Sequence, residues 1–185
     1  MGTTARDRIL DAAEARLLEQ GPGGLVLDAV AADAGVSKGG LLYHFATKEA
    51  LVAGLTERML RGFEAAQDGL AGADGEPVGR FTRAYVGSTV TADGTPADGS
   101  ARLMAGVLAG LGGDPARLES IRGRFADWQQ RLERDGIDPV KATLVRLVAD
   151  GLWLSSLLGL PPLDERLARS VLRELDGMTR QEQPA

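Results

Sequence analysis

The chain of 185 residues has no cysteine and a single histidine, His44. The first absence excludes a disulfide framework, a thiolate metal site and a cysteine nucleophile, and points to a reducing compartment. The second leaves nothing from which to build a histidine-cluster metal centre, so no metal and no cofactor is expected. No pair of carboxylates stands at a spacing suited to acid–base chemistry, and no catalytic residue is assigned. The sequence thus reads as a non-enzyme. The N-terminal MGTTARDRIL has no apolar core of a secretory leader, which leads us to expect a cytoplasmic protein. Long apolar runs are missing too. The longest, Leu144 to Leu160, is interrupted by Arg146, Asp150, Ser155 and Ser156, which favours a packed helix over a bilayer span and leaves no membrane partner. No stretch alternates at period two for long enough to make a strand.

What is present is a helical pattern with 44% hydrophobic residues, enough for a real core. Thr3 or Thr4 caps a helix from about Ala5 to Glu19, with Ile9, Ala12, Ala13 and Leu17 on its apolar face. Gly21-Pro22-Gly23-Gly24 ends it, and lacks the Gly-Lys-Ser/Thr ending of a phosphate loop. Thr47 caps a long helix to about Leu70 with the stripe Leu51, Leu55, Met59 and Phe63. Residues 71–77 have loop composition. Further helices follow at about 78–90, 101–111, 115–134, 139–158 and 163–178. Asp114-Pro115 and Asp138-Pro139 mark two starts by cap and N1 proline. The expected fold is all-α, with a three-helix N-terminal domain over 1–46, a connecting helix over 47–70 and a helical bundle over 71–185.

The stretch Asp28 to Phe45 carries the chemistry. Leu27, Val30, Ala31 and Ala34 recur at i, i+3, i+4 and i+7, the stripe of a short helix. Gly35 then supplies a sharp turn and Ser37 a capping hydroxyl. The next helix, Lys38 to about His44, sets Leu41, Leu42 and Phe45 on one side and Gly39, Gly40, Tyr43 and His44 on the other. Two short helices crossing at such a turn form a helix-turn-helix whose second helix can enter a major groove of double-stranded DNA. The net charge of −5 opposes DNA binding in total, but from Gly35 to Thr47 the only formal charge is Lys38, and the acids of the first helices lie outside that patch in sequence.

Lys38 can donate to a guanine edge or to a phosphate, and Tyr43 can donate its hydroxyl to a phosphate or pack on a thymine methyl. His44 and Lys48 are placed for phosphates, and Thr47 is first a cap. Gly39 and Gly40 present bare backbone, either for close approach to the groove or as weak helix formers tolerated beside the Ser37 cap.

Ala34-Gly35-Val36-Ser37-Lys38-Gly39, then Leu41, and His44-Phe45 followed by Thr47-Lys48-Glu49-Ala50-Leu51, resembles the TetR family of bacterial transcriptional regulators. The likeness covers roughly the first 60 residues. It implies a homodimer that binds near-palindromic operator DNA through the N-terminal domain and is released by a small-molecule effector held in the helical C-terminal domain, most often as a repressor. Three positions depart from the family pattern. Val26 stands where a hydroxyl residue caps the second helix, Leu42 stands where a tyrosine is usual, with Tyr43 one residue late, and Gly39-Gly40 leaves the reading surface bare.

For an effector pocket the candidates are Met104, Leu108, Phe125, Trp128 and Trp153, although large side chains at helical spacing are usually plain core. The helices at about 139–158 and 163–178 are the expected dimer face, because two such apolar helices exceed what one small bundle must bury. The competing reading is an all-helical protein-binding or small-molecule-binding module that keeps the helix-turn-helix as scaffold.

Overall fold

The computed structural model describes residues 4–97, 103, 104, 106, 107 and 118–180. Among these the regular structure is helical: α1 (Ala5–Gln20), α2 (Leu27–Asp33), α3 (Lys38–His44), α4 (Lys48–Ala73), α5 (Arg80–Thr89), α6 (Glu119–Glu133), α7 (Pro139–Leu157) and α8 (Glu165–Met178). The one β-type contact among them is an isolated bridge between Val90 and Pro96. None of the described helices is long and apolar enough to cross a membrane, and no group of residues there could hold a metal ion. Contacts divide the described residues into two compact units, one with 4–60, 103, 104, 106, 107 and 118–120, the other with 61–97 and 121–180. Helix α4 supplies residues to both.

In the first unit, Thr4 and Asp7 form a capping box at the start of α1. The Asp7 N–H donates to Thr4 Oγ1 at 3.1 Å, and the Thr4 N–H donates to Asp7 Oδ2 at 3.2 Å. The Thr4 hydroxyl, then its backbone N–H, holds the Asp7 carboxyl below the ordinary carboxylate range. Ile9, Leu10, Ala13 and Leu17 of α1 are buried, as are Leu25, Val30, Ala31, Leu41, Phe45, Leu51, Val52 and Leu55. Polar ties cross this core. Arg16 donates to the Gly24 carbonyl at 2.8 Å and pairs with Asp33 at 2.8 Å. Arg58 on α4 pairs with Asp11 and Glu14 of α1 and donates to the Leu10 carbonyl at 3.0 Å.

In the second unit the joint between α4 and α5 is fixed by polar groups. The Asp135 carboxylate accepts from the backbone N–H of Phe81 and Thr82 at 3.2 and 2.7 Å and so caps α5, which has no side-chain cap of its own. Arg83 pairs with Asp74 at 2.6 Å and donates to the carbonyls of Glu76, Val78 and Thr179. This draws the end of α8 against the start of α5. Gly79 sits at that seam with φ +72°, and a Cβ there would lie 2.1 Å from the Thr179 carbonyl oxygen.

Three boundaries differ by two residues or more from the sequence expectation. Helix α5 starts at Arg80, not Val78, because Gly79 is its cap position. Helix α4 continues past Leu70 to Ala73. Helix α8 starts at Glu165, not Leu163, because Asp164 is its cap, accepting from the N–H groups of Arg166 and Leu167. The expected start at Asp114-Pro115 lies outside the described residues, and so does most of the expected helix at 101–111.

Gly79→Ala should cost at least about 2 kcal/mol of stability, since it combines a left-handed backbone with a steric overlap. Gly23→Ala, where a Cβ meets nothing within 4 Å, should change stability by less than about 0.5 kcal/mol. Urea unfolding of the two variants against the parent protein measures both.

Candidate functional site

The turn before α3 is built as its residues require. Gly35 has φ +63°, and the Val36 N–H reaches back to the Ala31 carbonyl at 3.0 Å. Ser37 caps α3, its hydroxyl accepting from the Gly40 N–H at 3.1 Å. Leu41 and Phe45, one helical turn apart, are buried and anchor the helix to the core. Leu42, expected on that buried side, is 36% exposed. One residue along a helix is a rotation of about 100°, which carries Leu42 out of the Leu41–Phe45 row. The outward surface of α3 thus holds Lys38, Gly39, Leu42, Tyr43 and His44, and Tyr43 is 86% exposed. Tyr43 and His44 meet edge to face with ring centroids 5.2 Å apart. A Cβ on Gly39 would meet nothing, whereas one on Gly40 would lie 3.3 Å from the Ser37 hydroxyl. Gly39 is therefore bare toward solvent, and Gly40 is small beside its own cap.

Two cations on this side are bonded within the chain. Lys38 pairs with Asp28 of α2 at 2.9 Å, both side chains well exposed. The acid that lay outside the patch in sequence is thus inside it in space, because the turn folds α2 back beside α3. Lys48 is half-buried and donates to the Pro22 carbonyl at 3.0 Å, so its ammonium ties α4 to the loop after α1. Thr47 caps α4, accepting from the Ala50 N–H at 3.1 Å. Val26 gives α2 no side-chain cap, as its apolar side chain dictates.

Of the pocket candidates, Leu108 lies outside the described residues. Met104 is buried in the first unit, while Phe125, Trp128 and Trp153 belong to the second. Trp128 is the centre of an aromatic cluster, with ring centroids 5.0 Å from Phe63, 5.0 Å from Phe125 and 6.1 Å from Tyr85. Trp153 is half-buried and joins none of these ring pairs.

Sequence reasoning missed the polar groups in this cluster. Tyr85 donates its hydroxyl to Asp150 at 2.7 Å, and Arg146 pairs with the same carboxylate at 3.0 Å. Burial pushes the Tyr85 phenol up, and the Asp150 charge adds to it. Burial likewise holds Asp150 above the ordinary carboxylate range, against the Tyr85 hydrogen bond and Arg146, which pull it down. Gln67 is fully buried, and among the described residues both atoms of its amide lack a hydrogen-bond partner, as do Trp128 Nε1, Arg146 Nε and Gln129 Oε1. Each such group costs about 1–3 kcal/mol when left unmatched. A signal for Gln67 was available: the stripe Leu51, Leu55, Met59, Phe63 steps by four, and its next slot holds a glutamine.

These helices match two family models. Residues 9–55 match that of the bacterial regulatory proteins of the tetR family, and residues 79–180 that of the tetracyclin repressor-like C-terminal domain. Among curated proteins no match is found. Among solved structures, the multidrug binding protein EbrR complexed with malachite green is 32% identical, over 92% of this chain and 96% of that one, with a TM-score of 0.60. A TetR-family member from Streptomyces coelicolor A3 is 28% identical over 92% and 97%, with a TM-score of 0.63. A transcriptional regulator from Rhodococcus sp. Rha1, 24% identical over 95% and 96% with a TM-score of 0.70, shares the fold. With a helix-turn-helix in its first unit, a helical second unit and both family models matched, the chain belongs to the TetR family of bacterial transcriptional regulators.

Proposed function

We propose that the chain is a cytoplasmic, ligand-responsive repressor that binds near-palindromic operator DNA as a homodimer and leaves it when a small molecule occupies the C-terminal domain. In this reading 1–46 reads DNA, 47–70 connects, and 71–185 dimerises and holds the effector. The observation that carries it is the two-sidedness of α3, with Leu41 and Phe45 sunk in the core while Gly39, Tyr43 and His44 stand clear of it. Burial of one face fixes the helix, and the free face offers backbone and hydrogen-bonding groups to base edges. Ser37, Lys38, Gly39, Gly40, Tyr43 and His44 supply that face. Thr47 and Lys48 hold the start of α4 in place behind it, a supporting role drawn from their intramolecular bonds. EbrR, of comparable length and fold, has been crystallised with malachite green and ethidium, which supports a small-molecule effector here.

The dimer is supported by an exposed apolar stripe along α7 and its C-cap residue Leu158. Val140, Leu144, Leu147, Leu154 and Leu158 are all exposed and recur at helical steps of four, three, seven and four. Leu163 and Leu167, before and within α8, are exposed as well. A row of this kind, left in water, has the composition and spacing of a helix–helix seam. We assign it to a second copy of the chain.

Lys38→Ala or Tyr43→Ala should weaken operator binding by about tenfold, on the scale of one well-placed base or phosphate contact. Both variants should unfold at the parent midpoint, since both side chains are exposed. Operators selected from a random DNA pool supply the probe, and full affinity in both variants would remove α3 from the reading. Asp28→Asn should strengthen binding, because Lys38 no longer has to leave an ion pair and a negative charge is withdrawn from the DNA-facing side. Weaker or unchanged binding by this variant would show that the pair does not compete with DNA. For the dimer, Leu147→Glu should yield monomers in sedimentation experiments at concentrations where the parent is dimeric. A dimer that survives this change uses another face.

A further inference from the structure

Gly39, Leu42 and Tyr43 stand at i, i+3 and i+4 of α3, so they lie side by side on one helical row. The buried pair Leu41 and Phe45 faces the core instead. Leu42 and Tyr43 are both exposed, and a Cβ on Gly39 would meet nothing within 4 Å. The row is therefore an aliphatic side chain and a ring beside a stretch of bare backbone that opens to solvent. Its neighbours do not make it polar. Lys38 holds its ammonium against Asp28 at 2.9 Å, and the Ser37 hydroxyl accepts from the Gly40 N–H at 3.1 Å. His44 meets the Tyr43 ring edge to face, with centroids 5.2 Å apart, which steadies the ring beside the row.

A surface of this composition has one apolar counterpart among the base edges of a major groove. Thymine alone presents a methyl group there, and the other bases are told apart by their hydrogen-bonding atoms. Resting on the operator-binding reading above, we propose that α3 selects thymine by its C5-methyl group, which packs against Leu42 and the Tyr43 ring in the space that Gly39 leaves open. Leu42 is then a specificity-determining residue without a hydrogen-bonding atom in its side chain. Alanine at position 39 would favour the helix by its propensity. The glycine instead keeps the seat of the methyl free, and each operator half-site carries a thymine at the matching position.

The test measures binding of the full-length protein to operators selected from a random DNA pool, with deoxyuridine replacing thymidine one position at a time. Uracil keeps every hydrogen-bonding atom of thymine and lacks only the methyl. At one recurring position the replacement should weaken binding about fourfold, the worth of one buried methyl, and about fifteenfold when made in both half-sites. Leu42→Ala should bind the thymine operator more weakly and lose less than about twofold on the same replacement, because the partner of the methyl is gone. A purely structural effect of Leu42 would lower affinity and leave the response to uracil at its full size. Gly39→Ala should unfold at a higher temperature than the parent, since alanine is the better helix former in open space, yet bind the thymine operator at least about tenfold more weakly. It carries the test should Leu42→Ala fail to fold. Parent affinity that survives replacement of every thymidine, an undiminished uracil response in Leu42→Ala, or full operator affinity in Gly39→Ala each overturns the proposal. Where the parent still binds the selected operators in preference to competitor DNA, such a result rejects methyl reading and leaves the operator reading standing. Absence of any sequence preference rejects both.

Discussion

The burial of Leu41 and Phe45 is the constraint on which the first unit depends. A helix of seven residues such as α3 does not persist in water by itself, because nucleation fixes several residues for very few hydrogen bonds. Two side chains one turn apart, both sunk into the core formed with α1 and α4, supply what the isolated segment lacks. They also set its rotation. Once Leu41 and Phe45 point inward, the outward residues follow from helical geometry alone. The hydroxyl of Ser37 and the left-handed Gly35 then fix where the helix begins. Stability and presentation are the same interaction seen from two sides of one helix.

The second unit is organised differently. Its aromatic cluster is apolar in bulk yet carries a buried phenol, a half-buried carboxylate and an unmatched amide. Apolar residues of the same volume would pack there at lower cost, since removing both partners of a buried polar pair is often neutral or stabilising. The polar groups are thus a cost that folding alone does not require. The joints around them, Asp135 at the start of α5 and Arg83 at the α4–α5 turn, are by contrast fully bonded and serve the fold. Matched polar groups at the joints and unmatched ones in the core separate the parts of this unit that hold its shape from the part whose composition folding alone does not account for.

Much of the fold was legible because its signals are local. The caps at Thr4, Ser37, Thr47 and Asp138 act over two or three residues, and each bonds as its position implied. Pro139 at the first turn of α7 and Gly35 in the turn are of the same kind. Illegible features came from pairs brought together by the fold. Lys38 meets Asp28 across ten residues, Lys48 meets Pro22 across twenty-six, and Tyr85 meets Asp150 across sixty-five. No periodicity encodes such separations. Leu42 is a further case: grouping it with Leu41 followed its hydrophobicity, and the helical rotation overruled that.

The ion pair between Lys38 and Asp28 bears on kinetics as well as on affinity. Its two charges cancel at the surface of α3, and the chain as a whole is negative. On the operator-binding reading proposed above, DNA would feel little long-range attraction toward this helix, and association would sit in the ordinary range for docking of two specific patches, about 10⁵–10⁷ M⁻¹s⁻¹. On the same reading, discrimination between sequences rests on residence time, with Lys38 exchanging its carboxylate partner for a base edge or a phosphate only after short-range contact.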